Sequence, residues 1–239
     1  MSTSSTTLYT PLDRFAAPAL WLLPTYGVLL ALSTLTHQPP ITDFDAYARY
    51  VSTDVFLLSH LVASIGGAAL ATVGVTAALV FLSRGRAVRS AAIGTALTLM
   101  ALVVMASAFG SAAFVQPGIG RAHLSGAPGM PALNLDTAYG PALVGTIGVS
   151  MLLFITGAIV LGTAVARTAP GLRWAGTAYA VALPLFVVTG LAAQVLQPVM
   201  GLVVALATAV VARRLPRSVP AAPPAATGPA TAPATAARS

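Results

Sequence analysis

Long apolar stretches that almost no charged residue interrupts divide this sequence, and they constrain the fold more than any other feature. A helix needs roughly 20 apolar residues to cross the hydrocarbon core of a membrane. Only 7% of the residues are charged, against about a quarter in a soluble domain, so the chain cannot cover a water-soluble globule. We therefore predict an all-α, polytopic integral membrane protein with six transmembrane helices. They lie at about Phe15–Thr36, Asp54–Ser83, Ser90–Val115, Tyr139–Arg167, Arg173–Ala193 and Pro198–Ala212.

The last two spans are separated by a break rather than by a loop. The apolar run from Trp174 to Val211 would form a helix of roughly 57 Å, nearly twice the thickness of the hydrocarbon core. Proline lacks the N–H that a continuing helix needs and suits the first turn of a new one. The pair Gln197-Pro198 therefore predicts a tight hairpin.

Three regions follow from these spans. Residues 1–14 form a polar segment that lacks the features of a cleavable signal, so we expect the first span to be retained as an anchor. Residues 15–215 form the six-helix transmembrane domain. Residues 216–239 are almost all Pro, Ala, Thr and Ser, a composition that predicts a disordered tail.

The arginines predict the orientation, because cytoplasmic loops of membrane proteins carry an excess of positive charge. With a cytoplasmic N-terminus, only Arg49 and Arg121 fall outside. The ten on the inner side are Arg14, Arg84, Arg86, Arg89, Arg167, Arg173, Arg213, Arg214, Arg217 and Arg238. We expect an inner (plasma) membrane protein with both termini in the cytoplasm. The Arg-for-Lys, Ala-rich composition is typical of a high-GC bacterial genome.

The formal charge of +7 does not indicate a nucleic-acid-binding protein. The basic residues form short clusters at the ends of spans rather than one continuous face. Anionic lipid of the inner leaflet is the partner that this distribution predicts, beside the bilayer itself.

Two segments of the sequence resemble each other at an offset of about 82 residues. The segment from Asp54 to Gly66 recurs from Asp136 to Gly148, and Gly94-Thr95-Ala96 recurs as Gly176-Thr177-Ala178. The block that begins with Gln116-Pro117 recurs from Gln197-Pro198. We interpret this as an internal parallel repeat in which spans 2 and 3 match spans 4 and 5, with its axis along the membrane normal.

Small residues recur along the spans and predict where helices pack, because they let backbones approach in lipid. We expect Gly67 and Gly74 of the second span to lie at helix interfaces, together with Gly110, Gly145 and Gly148 of the third and fourth.

Two loops on the predicted outer side carry recognisable patterns. Phe44, Tyr47 and Tyr50 are spaced three apart, which predicts a short helix with its rings on one face, anchored at the headgroup level. The segment from Pro117 to Ala138 is rich in Gly and Pro and predicts an irregular outer cap.

The candidate functional residues also gather on that side. Asp54 and Asp136 occupy equivalent repeat positions, as do Gln116 and Gln197, and all four should lie at the outer ends of bundle helices. His60 lies about 9 Å below Asp54 along the helix and has no counterpart in the second copy. We expect its ring to point into the bundle, because lipid offers its nitrogens no partner.

Each of these residues also has a structural interpretation. The two aspartates would cap helix starts, each Gln-Pro would end a span, and His60 would be an interhelical hydrogen-bonding residue. A metal site from His37, His60 or His123 has no supporting ligand spacing, so we assign no metal. The sequence contains no cysteine and no phosphate-loop, dinucleotide, nucleophile or zincin motif, and it leaves the cofactor unknown.

Three classes of function stay open on this pattern. The first is a membrane protein that binds a lipid or apolar small molecule, or a subunit that packs against another membrane protein. The second is an intramembrane enzyme with His60 and an aspartate at its outer rim. The third is a transporter or channel, although the spans hold almost no ionisable group for coupling.

Overall fold

A computed structural model describes residues 10–36 and 38–219 of the protein. These residues are almost entirely helical and contain no strand. Six helices are long and apolar enough to cross a membrane, as predicted. Span 1 is Pro11–Ser33, span 2 Asp54–Leu82, span 3 Val88–Phe114, span 4 Pro141–Thr168, span 5 Pro170–Ala192 and span 6 Gln194–Ser218.

The six spans close into a ring. Each span packs against the next in the chain, and span 6 returns to pack against span 1. Successive spans run in opposite directions, so the bundle has two distinct ends. One end, which we term the arginine end, carries Arg84, Arg86, Arg167 and Arg173, and the other is the cap end.

The cap end is covered by three short helices, Phe44–Val51, Gln116–Leu124 and Met130–Thr137. The segment after Gln116 is therefore helical, and our prediction of an irregular cap was wrong. Pro117 and Pro131 each stand in the first turn of their helix, where proline is favoured because no N–H is needed. Gly126 and Gly129 adopt positive φ angles of 88° and 75° in the turn between the two helices.

The first of these cap helices matches the aromatic spacing, but its rings face the protein. Tyr47 is fully buried and its hydroxyl donates to Oδ1 of Asn134 at 3.3 Å. The ring of Phe44 lies 4.8 Å from that of His123, edge to face. Tyr47 and Phe44 thus join the cap helices to one another, so the aromatic face is not directed wholly at lipid as we expected.

Both ends of the spanning domain extend beyond the predicted bounds. Span 1 starts at Pro11 because Thr10 and Asp13 form a reciprocal capping box around its first turn. Span 6 continues through Pro216 to Ser218, so the predicted tail begins later than residue 216. The tail from residue 220, residues 1–9 and His37 lie outside the described residues.

Close backbone packing holds the spans together, mostly at glycines other than those we predicted. A Cβ on Gly94 would lie 2.5 Å from the backbone nitrogen of Leu161, and one on Gly157 would lie 2.8 Å from that of Thr98. Gly67 and Gly74 do pack against span 1, as expected. Gly145 and Gly148 have no atom within 4 Å of such a Cβ, and Gly110 meets only its own helix. Those three assignments to an interface were wrong.

The structure does not confirm the internal repeat. Asp54 is in the first turn of span 2, whereas Asp136 lies near the end of a separate cap helix, before the start of span 4. Gln116 begins a cap helix and Gln197 lies at the start of span 6. The matched residues therefore do not occupy equivalent places.

Candidate functional site: a cavity inside the helix ring

A cavity of about 310 Å³ lies inside the ring, in the half of the bundle next to the cap end. All six spans contribute to its wall. It is close to the lower limit of roughly 300 Å³ that is usual for small-molecule sites. Leu191 at its edge is 77% exposed, so the cavity opens to the surroundings of the protein.

The body of the cavity is apolar. Aromatic and sulphur-containing side chains of spans 3, 4 and 5 belong to this wall, namely Met105, Phe109, Met151, Phe154 and Phe186. Toward the arginine end the bundle is closely packed, since Phe81, Leu82 and Leu215 are at most 1% exposed. A small cavity of about 20 Å³ beside Leu161 lies in this half. The larger cavity is therefore a blind pocket and not a continuous pore.

The polar side chains of the wall gather near the cap end. Ser33 and Thr34 come from span 1, His60 from span 2 and Gln197 from span 6. Two residues that the sequence placed far apart, His60 and Gln197, thus belong to one site. Ring closure brings the start of span 6 next to spans 1 and 2, and no pattern in the sequence indicates that closure.

His60 lies on an unusual stretch of span 2. Residues Ser59–Gly66 form a π-helix, whose backbone bonds reach the fifth residue and which is often found at functional sites. Nδ1 of His60 lies 2.9 Å from the carbonyl oxygen of Phe56. Because a carbonyl oxygen only accepts, this contact assigns the proton of the neutral ring to Nδ1 and leaves Nε2 as an acceptor. The Ser59 hydroxyl oxygen lies 3.3 Å from the same Nδ1. The ring also packs 4.2 Å from that of Phe56.

Gln197 is held by span 5. Its Nε2 donates to the carbonyl oxygen of Phe186 at 3.1 Å, across the hairpin between spans 5 and 6. The amide lies directly over Gly190, where a Cβ would collide with it. The bond fixes the orientation of the amide, so Oε1 is its remaining acceptor. The predicted Gln-Pro helix break thus serves a second purpose as part of the cavity wall.

The other three predicted site residues lie elsewhere. Asp54 and Asp136 are exposed and do not line the cavity. Thr53, and not Asp54, caps span 2, since its side chain accepts from the backbone of Phe56 at 3.2 Å. Gln116 is 5% exposed and buried under the cap, outside the cavity wall. Of the five candidate residues, His60 and Gln197 line the cavity and the other three do not.

His123 is part of the cap rather than of the cavity. Its Nε2 lies 2.6 Å from Oδ1 of Asp45 on the first cap helix. This hydrogen bond from His123 holds the pKa of the Asp45 carboxyl below its usual value. Burial raises the pKa of the Tyr47 hydroxyl well above its usual range. Among the residues that the structure describes, no three His or Asp side chains come together as metal ligands.

The fold and the cavity together define a helical protein of six membrane-spanning helices with an internal, cap-side pocket. Comparison with protein-family models, with curated proteins and with solved structures finds no match for this chain. The site must therefore be interpreted from its own chemistry.

Proposed function

We propose that the protein binds an apolar small molecule in this cavity while it is embedded in a membrane. The observation that carries the proposal is a blind, largely apolar pocket whose wall comes from all six spans and whose polar groups stand together near its cap end. A ligand with an apolar body and a small polar head would match the apolar body of the pocket and the polar groups at its cap end. A role as a subunit of a membrane complex would not require such a pocket.

The enzyme alternative finds less support. It needs a carboxylate near His60, and both candidate aspartates are exposed and outside the cavity wall. A transporter needs a path to the second side of the membrane, and the packed arginine half of the bundle leaves none in this conformation. The binding function therefore fits the geometry better than either.

The arginine distribution supports an orientation for this proposal. In an inner membrane with both termini in the cytoplasm, the arginine end would face anionic lipid and the cavity would open on the extracytoplasmic side. A groove of about 370 Å³ between spans 1 and 6 has Trp21, Arg213 and Arg217 in its wall. An indole beside two guanidinium groups suits an anionic headgroup with its acyl chains.

Photolabelling tests the binding function directly. The protein would be placed in phosphatidylcholine nanodiscs with a photo-reactive decanol that carries a diazirine in its chain. We expect saturable labelling at Met105 and Met151 or at pocket residues beside them, located by fragmentation of the labelled peptides, and competition by unlabelled decanol. Labelling confined to exposed residues such as Val103 would overturn the proposal, because Val103 is 68% exposed on the outside of span 3.

A cavity-filling variant supplies the matched control. Ala63 is 7% exposed and lines the pocket, so Ala63→Trp should abolish the saturable labelling, whereas Val103→Trp should preserve it. If Ala63→Trp fails to fold, Met105→Trp fills the same space with a smaller change of volume. Equal labelling of folded filled and unfilled proteins would contradict the proposal.

A further inference from the structure

The hydrogen bonds of the cavity wall leave mainly acceptors for a ligand at its cap end. Four hydroxyl side chains line the cap end of the pocket, and each donates its proton to a backbone carbonyl of its own helix. Ser33 donates to Leu30, Thr34 to Ala31, Ser59 to Phe56 and Ser64 to Ser59. Their oxygens can still accept, but their protons are already used.

His60 and Gln197 also each donate an N–H to a backbone carbonyl. Nδ1 of His60 donates to the Phe56 carbonyl, and Nε2 of Gln197 donates to the Phe186 carbonyl. Nε2 of His60 makes no hydrogen bond to the described residues, nor does Oε1 of Gln197. An unprotonated imidazole nitrogen is a strong acceptor, so acceptors predominate at the cap end of the cavity. The donors left in the wall are the second N–H of the Gln197 amide and, deeper in the cavity, the Tyr26 hydroxyl.

We infer that the ligand is a long-chain alcohol, with its apolar body among Met105, Met151 and Phe154 and its hydroxyl donating a hydrogen bond to Nε2 of His60. The inference rests on the proposed binding function and names its ligand class. A ketone, ester or ether head offers acceptors only, so it cannot donate a hydrogen bond to Nε2 of His60. Leaving a buried polar group unpaired lowers affinity, so such heads are disfavoured.

Tyr26 is the polar lining residue that provides a control. Its ring packs against Gly67 of span 2, and its hydroxyl makes no hydrogen bond to the described residues. Gly67 follows His60 by two turns, so Tyr26 stands deeper in the membrane than the polar cap end. Removal of its hydroxyl changes the polarity of the cavity without changing the acceptors around His60.

The test compares the photo-reactive decanol with its methyl ether, which has the same chain but no donor. In phosphatidylcholine nanodiscs, the alcohol should reach half-maximal labelling of the Met105 and Met151 peptides at a concentration about fivefold lower than the ether. His60→Leu should remove this preference, His60→Gln should retain part of it through the amide oxygen, and Tyr26→Phe should leave it unchanged.

The outcomes separate the two proposals. If neither compound labels the cavity saturably, the binding function itself fails. If both label it equally in the wild type, or if the preference survives in His60→Leu or disappears in Tyr26→Phe, binding stands and the assignment of the hydroxyl to His60 is overturned.

The histidine ring ¹⁵N spectrum of the wild type gives a readout that requires no variant. Decanol should shift an unprotonated Nε2 resonance and the methyl ether should not, while an unchanged spectrum would again reject His60.

Discussion

Arg84, just after span 2, is bound to Asp13, in the first turn of span 1, with Nη2 and Oδ1 2.5 Å apart. The side chain of Asp13 is 1% exposed and that of Arg84 is 18% exposed. Asp13 also accepts from the backbone nitrogen of Thr10 in the capping box, so one carboxylate both starts span 1 and fixes it to span 2. The pair closes the arginine end of the bundle, opposite the cavity.

Loss of this pair should destabilise the protein. Asp13→Asn leaves a guanidinium without its charged partner and weakens the capping box, so we expect the free energy of unfolding to fall by about 1.5–3 kcal/mol. Unfolding in mixed micelles of increasing denaturing-detergent content measures this. Arg86→Ala is the control, since Arg86 is exposed two residues further on. Equal effects of the two changes would show that the ion pair contributes nothing specific.

Gly94 and Gly145 test whether the spans require a glycine only where two backbones touch. Gly94→Ala places a methyl group against the backbone of Leu161, so spans 3 and 4 must separate, and we expect a loss of about 1–3 kcal/mol. Gly145→Ala on span 4 meets no neighbour and should be neutral or slightly stabilising. Thermal unfolding of both variants in one detergent compares them. A Gly145 variant as unstable as the Gly94 variant would contradict the packing described here.

The cap should weaken in acid because of Asp45. Its carboxyl has a pKa below the usual value in the folded protein, so its bond to His123 stabilises the fold at pH values above about 4. That contribution is lost as the pH falls through the lowered pKa. Asp45→Asn should therefore lower the unfolding temperature near neutral pH, and the difference from the wild type should shrink as the pH falls below about 4. Asp54→Asn is the charge-matched control, since Asp54 is exposed at the start of span 2.

The spans could be predicted because hydrocarbon thickness sets their length and the residues between them are polar. Gln197-Pro198 was read correctly as a helix start for the same local reason. The sequence placed Gln197 and His60 in one candidate cluster on the outer side, but it did not indicate the cavity that both line, which depends on closure of the ring by spans 1 and 6. The sequence also could not show that Gly94 lies at a helix interface and Gly145 does not. Both lie in apolar helices, and only the packing decides which of them faces a neighbouring helix.

The start of span 1 at Pro11 could have been predicted from the sequence. Thr10-Pro11-Leu12-Asp13 has the spacing of a capping box with proline in its first turn, and it marks the true start of span 1. We placed the start of span 1 at Phe15 instead, because the apolar run begins there. The aromatic spacing of the first cap helix was read correctly for its secondary structure, but periodicity alone does not say whether a face meets lipid or protein.

Anionic lipid should bind at the groove between spans 1 and 6. The double change Arg213→Ala with Arg217→Ala removes both guanidinium groups from its wall, so fewer phosphatidylglycerol molecules should remain bound than in the wild type. Native mass spectrometry after release from mixed-lipid nanodiscs counts the bound lipids. Arg86→Ala with Arg89→Ala is the charge-matched control at the same end. A similar loss in both double variants would indicate diffuse attraction and not a groove.

The orientation of the bundle decides from which side the cavity is reached. Positive residues flank the ends of the spans near Arg86 and Arg214, so reporter fusions after these two positions should give cytoplasmic signals. A fusion after Pro128, in the turn between two cap helices, should give an external signal. Each fusion would be made with a paired alkaline phosphatase and green fluorescent protein reporter, since the first is active outside and the second inside. An external signal at Arg86 together with a cytoplasmic one at Pro128 would invert the protein, and the ligand of the His60 cavity would then enter from the cytoplasmic side of the membrane.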